Sequence, residues 1–184
     1  MRGLIESGGT MKLRTMHAGL AALAALSATT AAQAQSEPPK LQYITPEDAE
    51  RLFAGTQAEA VRIEKDTEVE YEVTLNWGLK LNAELQNCED KARALRCRTL
   101  SIIANFGAPK GASRKELLEM VNRNNKRDVY GRAFLNDGNQ IIVRMASIVS
   151  GQENLLNMAH KFAGWQYHLN RFYFELYDEK SAAP

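Results

Sequence analysis

Between Glu68 and Gln86 the chain alternates strictly. Val69, Tyr71, Val73 and Leu75 are set against Glu68, Glu70, Glu72 and Thr74, and then Leu79, Leu81, Ala83 and Leu85 against Lys80, Asn82, Glu84 and Gln86. A period of two puts the apolar set on one face of a strand and the acidic set on the other. The intervening Asn76-Trp77-Gly78 is too short for a crossover, so the two runs form an antiparallel hairpin. Lys80 and Glu84 are placed to pair across to the acids of the preceding strand. A sheet with one apolar face needs a cover, and this requirement points to an α+β chain with helices laid over the sheet.

The remaining segments supply the parts. Thr45-Pro46-Glu47-Asp48 opens a short helix with a capping hydroxyl, a proline pre-set for the first turn and acids at the positive end of the dipole; Ala49, Leu52 and Phe53 form its apolar side and Gly55 closes it. Val61 and Ile63 mark a first strand, turned by Lys65-Asp66-Thr67, and Thr99 to Phe106 is a denser apolar run that belongs near the middle of the sheet. Ser113-Arg114-Lys115-Glu116 is a capping box ahead of Leu117, Leu118 and Val121. Tyr130 to Leu135 and Ile141 to Ile148 are two further strands around Asn136-Asp137-Gly138-Asn139, where Asp-Gly favours a tight hairpin. A second capping box, Ser150-Gly151-Gln152-Glu153, is expected to start the last helix. Along that helix Leu155, Met158, Phe162, Trp165, Leu169, Phe172 and Leu176 fall alternately three and four apart, one apolar stripe over about six turns. The expected antiparallel sheet is thus covered by helices in the order α-β-β-β-β-α-β-β-α.

The first 34 residues read as a leader. Lys12 and Arg14 precede an apolar run from Ala18 to Leu26, and Ala32-Gln33-Ala34 is the small-x-small pattern cleaved by signal peptidase, so the cut is placed after Ala34 and a periplasmic or secreted location is expected. Translation can begin at Met11, since the polar residues before it serve no signal. Gln35 to Ile44, with Pro38-Pro39, forms a linker, residues 45–178 the domain and residues 179–184 a tail. Arg2, Lys12, Arg14 and Glu6 leave with the leader, so the remaining 150 residues carry 20 basic and 21 acidic side chains. That balance lacks the basic field of a nucleic-acid binder, and neither a polybasic membrane-surface helix nor a lipid-anchoring cysteine is present.

Cys88 and Cys97 are the only cysteines. In an exported chain they read as one disulfide, clamping the loop between consecutive strands. Zinc would need further ligands, and the domain's imidazoles, His160 and His168, lie far away in sequence and eight residues apart on one helix. Glu68, Glu70 and Glu72 are evenly spaced on a wet face where nothing shifts a pKa toward catalysis. Ser147 and Ser150 lack a nucleophile elbow, and no phosphate-binding loop or dinucleotide fingerprint occurs. No catalytic, cofactor or metal residue is therefore assigned.

One stretch gathers unusual polar residues: Asn122-Arg123-Asn124-Asn125-Lys126-Arg127-Asp128-Val129-Tyr130-Gly131-Arg132 ends a helix and opens a strand. Amides and guanidinium groups at such junctions satisfy backbone groups, so a structural role is expected for them before a functional one.

From Thr45 to Leu176 the ordered set of motifs resembles the YbjN-domain family of bacterial sensory-transduction regulators, whose fold is similar to that of type III secretion chaperones. The motifs are the strand run, Cys88 with Cys97-Arg98-Thr99-Leu100, Phe106, Asn122, Asn125, Arg127, Tyr130-Gly131-Arg132-Ala133, the Asp-Gly hairpin, and Ser150-Gly151-Gln152-Glu153-Asn154-Leu155. Asn124 departs from the pattern, which expects an apolar or aromatic residue there. The resemblance implies no catalytic residue and no cofactor, and a chaperone-like or regulatory role in binding an unknown protein or peptide. The motif residues Asn122, Asn125, Arg127, Tyr130, Gly131 and Arg132 would be structural or partner-binding. A small exported hydrolase and a structural or envelope-stress protein are the alternatives, and both a monomer and a homodimer fit the sequence.

Overall fold

The computed structural model describes residues 38–177 apart from 66, 67 and 92. The expected leader, the turn at 66–67 and the tail 179–184 lie outside the described residues. The elements run α1 (Pro46–Gly55), β1 (Glu59–Lys65), β2 (Glu68–Thr74), β3 (Lys80–Gln86), β4 (Thr99–Phe106), α2 (Arg114–Arg127), β5 (Arg132–Leu135), β6 (Ile141–Ile148) and α3 (Leu155–Tyr177), the α+β order that the periodicities predict.

The strands form one antiparallel sheet of order β1-β2-β3-β4-β6-β5. Register sorts the side chains into two sets. Tyr71 lies opposite Ala83, Ala83 opposite Ile102, Ile102 opposite Met145, and Val143 opposite Ala133. All of these are buried. Ala49, Leu52 and Phe53 of α1, Leu117 and Val121 of α2, and Met158, Phe162, Trp165, Leu169, Phe172 and Leu176 of α3 join them in one core. Phe53 links the layers, its ring centroid 5.8 Å from Tyr71 and 5.6 Å from Phe162, and the Tyr71 hydroxyl donates to the Pro46 carbonyl at 3.3 Å. The apolar stripe of α3 is thus core, buried by this chain's own sheet and helices.

Capping chemistry sets most helix starts. Thr45 with Asp48, and Ser113 with Glu116, form reciprocal capping boxes. At α3 the start differs from the expected one: the Asn154 side chain accepts from the Asn157 N–H at 2.8 Å, and Ser150 is not the cap. The cause is long-range. Leu41 N–H donates to Glu153 C=O, Gly151 N–H donates to Leu41 C=O, and Lys40 bridges Asn154, which keeps residues 151–154 out of the helix. The same contacts tie down Lys40 to Ile44, expected as linker: Ile44 donates to the Cys97 carbonyl at 2.8 Å and is fully buried. β5 also begins two residues later than the Tyr130 start expected, because the Asp128 carboxylate takes the N–H groups of Tyr130 and Gly131 that a strand ladder would use.

The Cys88–Cys97 disulfide is formed. It closes a loop in which Ala94 and Arg96 hold left-handed φ values of 50 and 53°, as does Asn87 just before it at 55°, a conformation that costs an L-residue about 1 kcal/mol or more. The bond restricts the alternatives open to that loop when it is unfolded.

Candidate functional site

The polar junction after α2 resolves into a set of internal contacts. The Asn125 amide spans eight residues: its Nδ2 donates to Ala133 C=O at 2.9 Å and its Oδ1 accepts from Ala133 N–H at 2.7 Å. Arg127 makes a two-pronged ion pair with Glu175 of α3, at 2.7 and 2.5 Å. Burial alone would raise the Glu175 carboxyl, but the hydrogen bonds and charges of Arg127 and Arg171 outweigh it and hold the group below its ordinary value. Arg132 donates to the carbonyls of Asp128 and Gly131. Gly131 is set against the indole of Trp165, where an added Cβ would fall 2.6 Å from Cδ1. Tyr130 lies over Gly164 of α3 in the same way, its ring 6.0 Å from that of His168. Asn122 is exposed on α2 and Asn124 is buried there, its Nδ2 without a hydrogen-bond partner. The motif residues therefore hold α2, β5 and α3 together, and the structure brings all but Asn122 into that junction.

Elsewhere among the described residues, titratable groups do not converge as a catalytic centre requires. Among the described residues no three His, Cys, Asp or Glu side chains are placed to hold a metal. A cleft of about 620 Å³ at the start of α2 is lined by Lys110, Glu116, Glu119 and Arg123. The Glu116 carboxylate, however, is taken up by the backbone and hydroxyl of Ser113, at 2.8 and 2.7 Å, and these bonds hold it below its ordinary value. His160 is exposed and His168 half-buried. On the polar side of the hairpin Lys80 pairs with Glu72 at 2.8 Å, as its spacing predicts. Glu84 does not pair with a cation across the strands: register sets it opposite Glu70, and Gln86 donates to it instead. The Glu68 side chain lies outside the described residues.

The two sheet edges differ. At the end of the hairpin between β5 and β6, Asn136 N–H donates to Gln140 C=O. Antiparallel bonding alternates along a strand, so Phe134 and Arg132 also face β6 and Ala133 faces outward. Asn125 meets Ala133 there and takes both its outward groups. At the other edge, Leu75 N–H donates to Leu79 C=O. By the same alternation Val73 and Tyr71 face β3, whereas Glu72 and Glu70 face β1 and bond Val61 and Ile63. The outward N–H and C=O groups of β1 then include those of Ala60 and Glu64. β1 ends the sheet. Val61 and Ile63 are 56% and 41% exposed beside this edge. The period-two pattern predicts β1 but carries no signal of which strands lie outermost, so the edge was invisible in the sequence.

The class this geometry defines is an α+β domain with helices packed on one side of an antiparallel sheet whose edges are β1 and β5. No known family model matches the chain, and no curated protein matches it. Among solved structures it is similar to a chain of the HopA1-SchA chaperone-effector complex, with 11% sequence identity, 66% of this chain and 87% of the matched chain covered, and a TM-score of 0.43. The YbjN resemblance is thus not joined by a family match. The periplasmic or secreted location expected from the leader is withdrawn: the solved structure found is that of a chaperone-effector complex, and the leader lies outside the described residues.

Proposed function

We propose that this protein is a non-enzymatic binding module, chaperone-like or regulatory and of the YbjN type, which takes an extended segment of a protein or peptide partner as an added strand along β1. The observation that carries the reading is the contrast between the edges. On β5 the outward groups of Ala133 are taken by Asn125, while seven-residue β1 stands outermost with Val61 and Ile63 exposed. Proteins blunt edges that serve no purpose with plugs, charges, bulges or prolines, because an open edge templates pairing. Here the outward groups of Ala133 are plugged by Asn125, whereas β1 carries only the charges of its own sequence, Glu59, Arg62, Glu64 and Lys65. Main-chain bonds along β1 supply affinity for any extended chain, and the side chains on either face select among chains.

Ala60→Pro tests this directly. Ala60 turns its N–H outward, so proline removes a donor from the edge and leaves the bonds to β2 in place. Short labelled peptides rich in Val and Thr are titrated against wild type and variant by fluorescence anisotropy, with circular dichroism to verify the fold. Binding that is lost in the folded variant is the expected result. Binding unchanged by the proline would overturn the edge as the site.

A further inference from the structure

Over β4, β6 and β5 the uncovered face of the sheet is apolar and basic. Register puts Arg132 of β5 directly opposite Arg144 of β6, in one row with Ile103 of β4, and Phe134 opposite Ile142. Phe134 is 45% exposed, and Ile148 at the end of the β6 row is 69% exposed. None of the three strands contains an acidic residue. Like charges directly opposite each other weaken a sheet, yet among the described residues neither guanidinium meets a carboxylate. Arg132 gives both its hydrogen bonds from Nη1, to the carbonyls of Asp128 and Gly131. Arg144 lies over β4, its Nε on the buried Ser101 hydroxyl at 2.8 Å and its Nη2 on Gln86 Oε1 at 3.0 Å. A guanidinium carries five N–H donors, so each keeps several for a ligand. The acids of the neighbouring segments are engaged elsewhere: Asp128 accepts from the Tyr130 and Gly131 N–H groups, and Glu84 from Gln86.

From this we infer that the β4-β6-β5 face docks an acidic amphipathic helix of a protein partner, laid along β6. Its apolar stripe covers Ile142 and Ile148 between Phe134 and Ile103, and carboxylates on its two flanks reach Arg132 and Arg144. The site is separate from the β1 edge and does not depend on it. A strand cannot be added here, because β6 is paired on both sides and Asn125 takes the outward groups of Ala133 on β5. An extended segment lying flat on apolar side chains would leave its own N–H and C=O groups unpaired, whereas a helix satisfies them internally. The dimensions agree. Ile142 to Ile148 spans roughly 20 Å, the length of about four helical turns. The bonds of the two arginines draw their heads apart, one back along β5 and the other over β4, strands about 10 Å from each other. A helix with its side chains is about 10 Å across, so acids on both of its flanks meet one head each. A basic helix would be repelled by both. A second copy of this chain has no such helix to offer, since the apolar sides of α1, α2 and α3 are already buried in its own core.

The test uses the full protein and three labelled synthetic peptides: a helix with a leucine stripe flanked on both sides by Glu, the same helix with Lys in place of Glu, and the Glu peptide in scrambled order. Affinities are measured by anisotropy at low and high salt for wild type, Arg144→Gln, Ile148→Ser and Ala60→Pro, with circular dichroism to verify each fold and sedimentation to follow self-association. Ile148 is exposed, so its substitution leaves the core intact even if Arg144→Gln disturbs the sheet. The Glu helix should bind at least about tenfold tighter than either control and weaken with salt. Arg144→Gln should lose about two- to fivefold, as expected for one exposed charge pair, and Ile148→Ser about threefold through lost apolar contact. Ala60→Pro should bind as wild type does. If the Lys or scrambled peptide binds as well as the Glu helix, or if Ile148→Ser binds it as wild type does, the inference falls. Loss of binding in Ala60→Pro would place the peptide on β1, overturning this site and leaving the β1 reading intact. A dimer that Ile148→Ser dissolves, with no helix bound, would make a second copy the occupant, and binding to phosphatidylglycerol vesicles instead of the helix would make it a membrane; either overturns the inference.

Discussion

Asn125→Ala removes both hydrogen bonds that fasten the end of α2 to β5, at 2.9 and 2.7 Å. Each bond is worth about 0.5 to 1.5 kcal/mol net, and a buried partner left unsatisfied adds a desolvation penalty of about 1 to 3 kcal/mol. Asn125 is only half-buried, so water can reach part of what is vacated, and the combined loss should be about 2 to 3 kcal/mol. For a domain of this size that lowers the melting temperature by roughly 5 to 10 °C. Urea unfolding of wild type and variant, with equal slopes required, measures the difference. Asn125→Asp is the companion variant: it keeps the shape and the acceptor for Ala133 N–H but loses the donor to Ala133 C=O, and it should fall between the two. A further consequence separates a plug from an ordinary hydrogen bond. With Asn125 gone, β5 becomes a second open edge, so the alanine variant should associate at concentrations where wild type does not. A loss under about 0.5 kcal/mol, with no new association, would refute the view of Asn125 as an edge plug.

Three other substitutions probe the frame around the edge. Phe162→Ala empties a fully buried position between Phe53 and Trp165 and should cost about 3 to 5 kcal/mol in denaturant unfolding, with a wild-type midpoint independent of protein concentration; a midpoint that rises with concentration would mean that the α3 stripe is an interface. Gly131→Ala drives a methyl into the Trp165 indole and should destabilise by about 1 to 3 kcal/mol, with a changed Trp fluorescence spectrum; an unperturbed variant would show that the contact yields freely. The carboxyl of Glu175, held below its ordinary 4.5 by Arg127 and Arg171 against the opposing effect of burial, contributes stability that is full above pH 4.5 and is lost as pH falls through the lower folded value. Urea midpoints of wild type and Glu175→Gln should accordingly converge in acid and separate, wild type ahead, above pH 4.5. A gap constant with pH would contradict this.

Much of the architecture is written in local pattern. The alternation from Val69 to Leu85 forces a hairpin with two unlike faces, the hydroxyls of Thr45 and Ser113 start helices where they stand, and the three-four spacing from Leu155 to Leu176 makes a helix with one buried side. Each follows from sterics and hydrogen bonding within a few residues, so the amino-acid order suffices. What decides the site is of another kind. That Ser150 yields to Asn154 as the cap of α3 depends on Leu41, more than a hundred residues earlier in the chain, binding residues 151 and 153 outside the helix. That Asn125 is a plug depends on β5 lying outermost beside β6, and that β1 is the other edge depends on β4 pairing with β6 and so closing the middle of the sheet. Periodicity fixes which face of a strand is buried. It is silent on which strand has a neighbour, because strand order is settled by contacts between distant segments that compete for the same backbone groups, and only the folded sheet shows which of those groups are left at its edge.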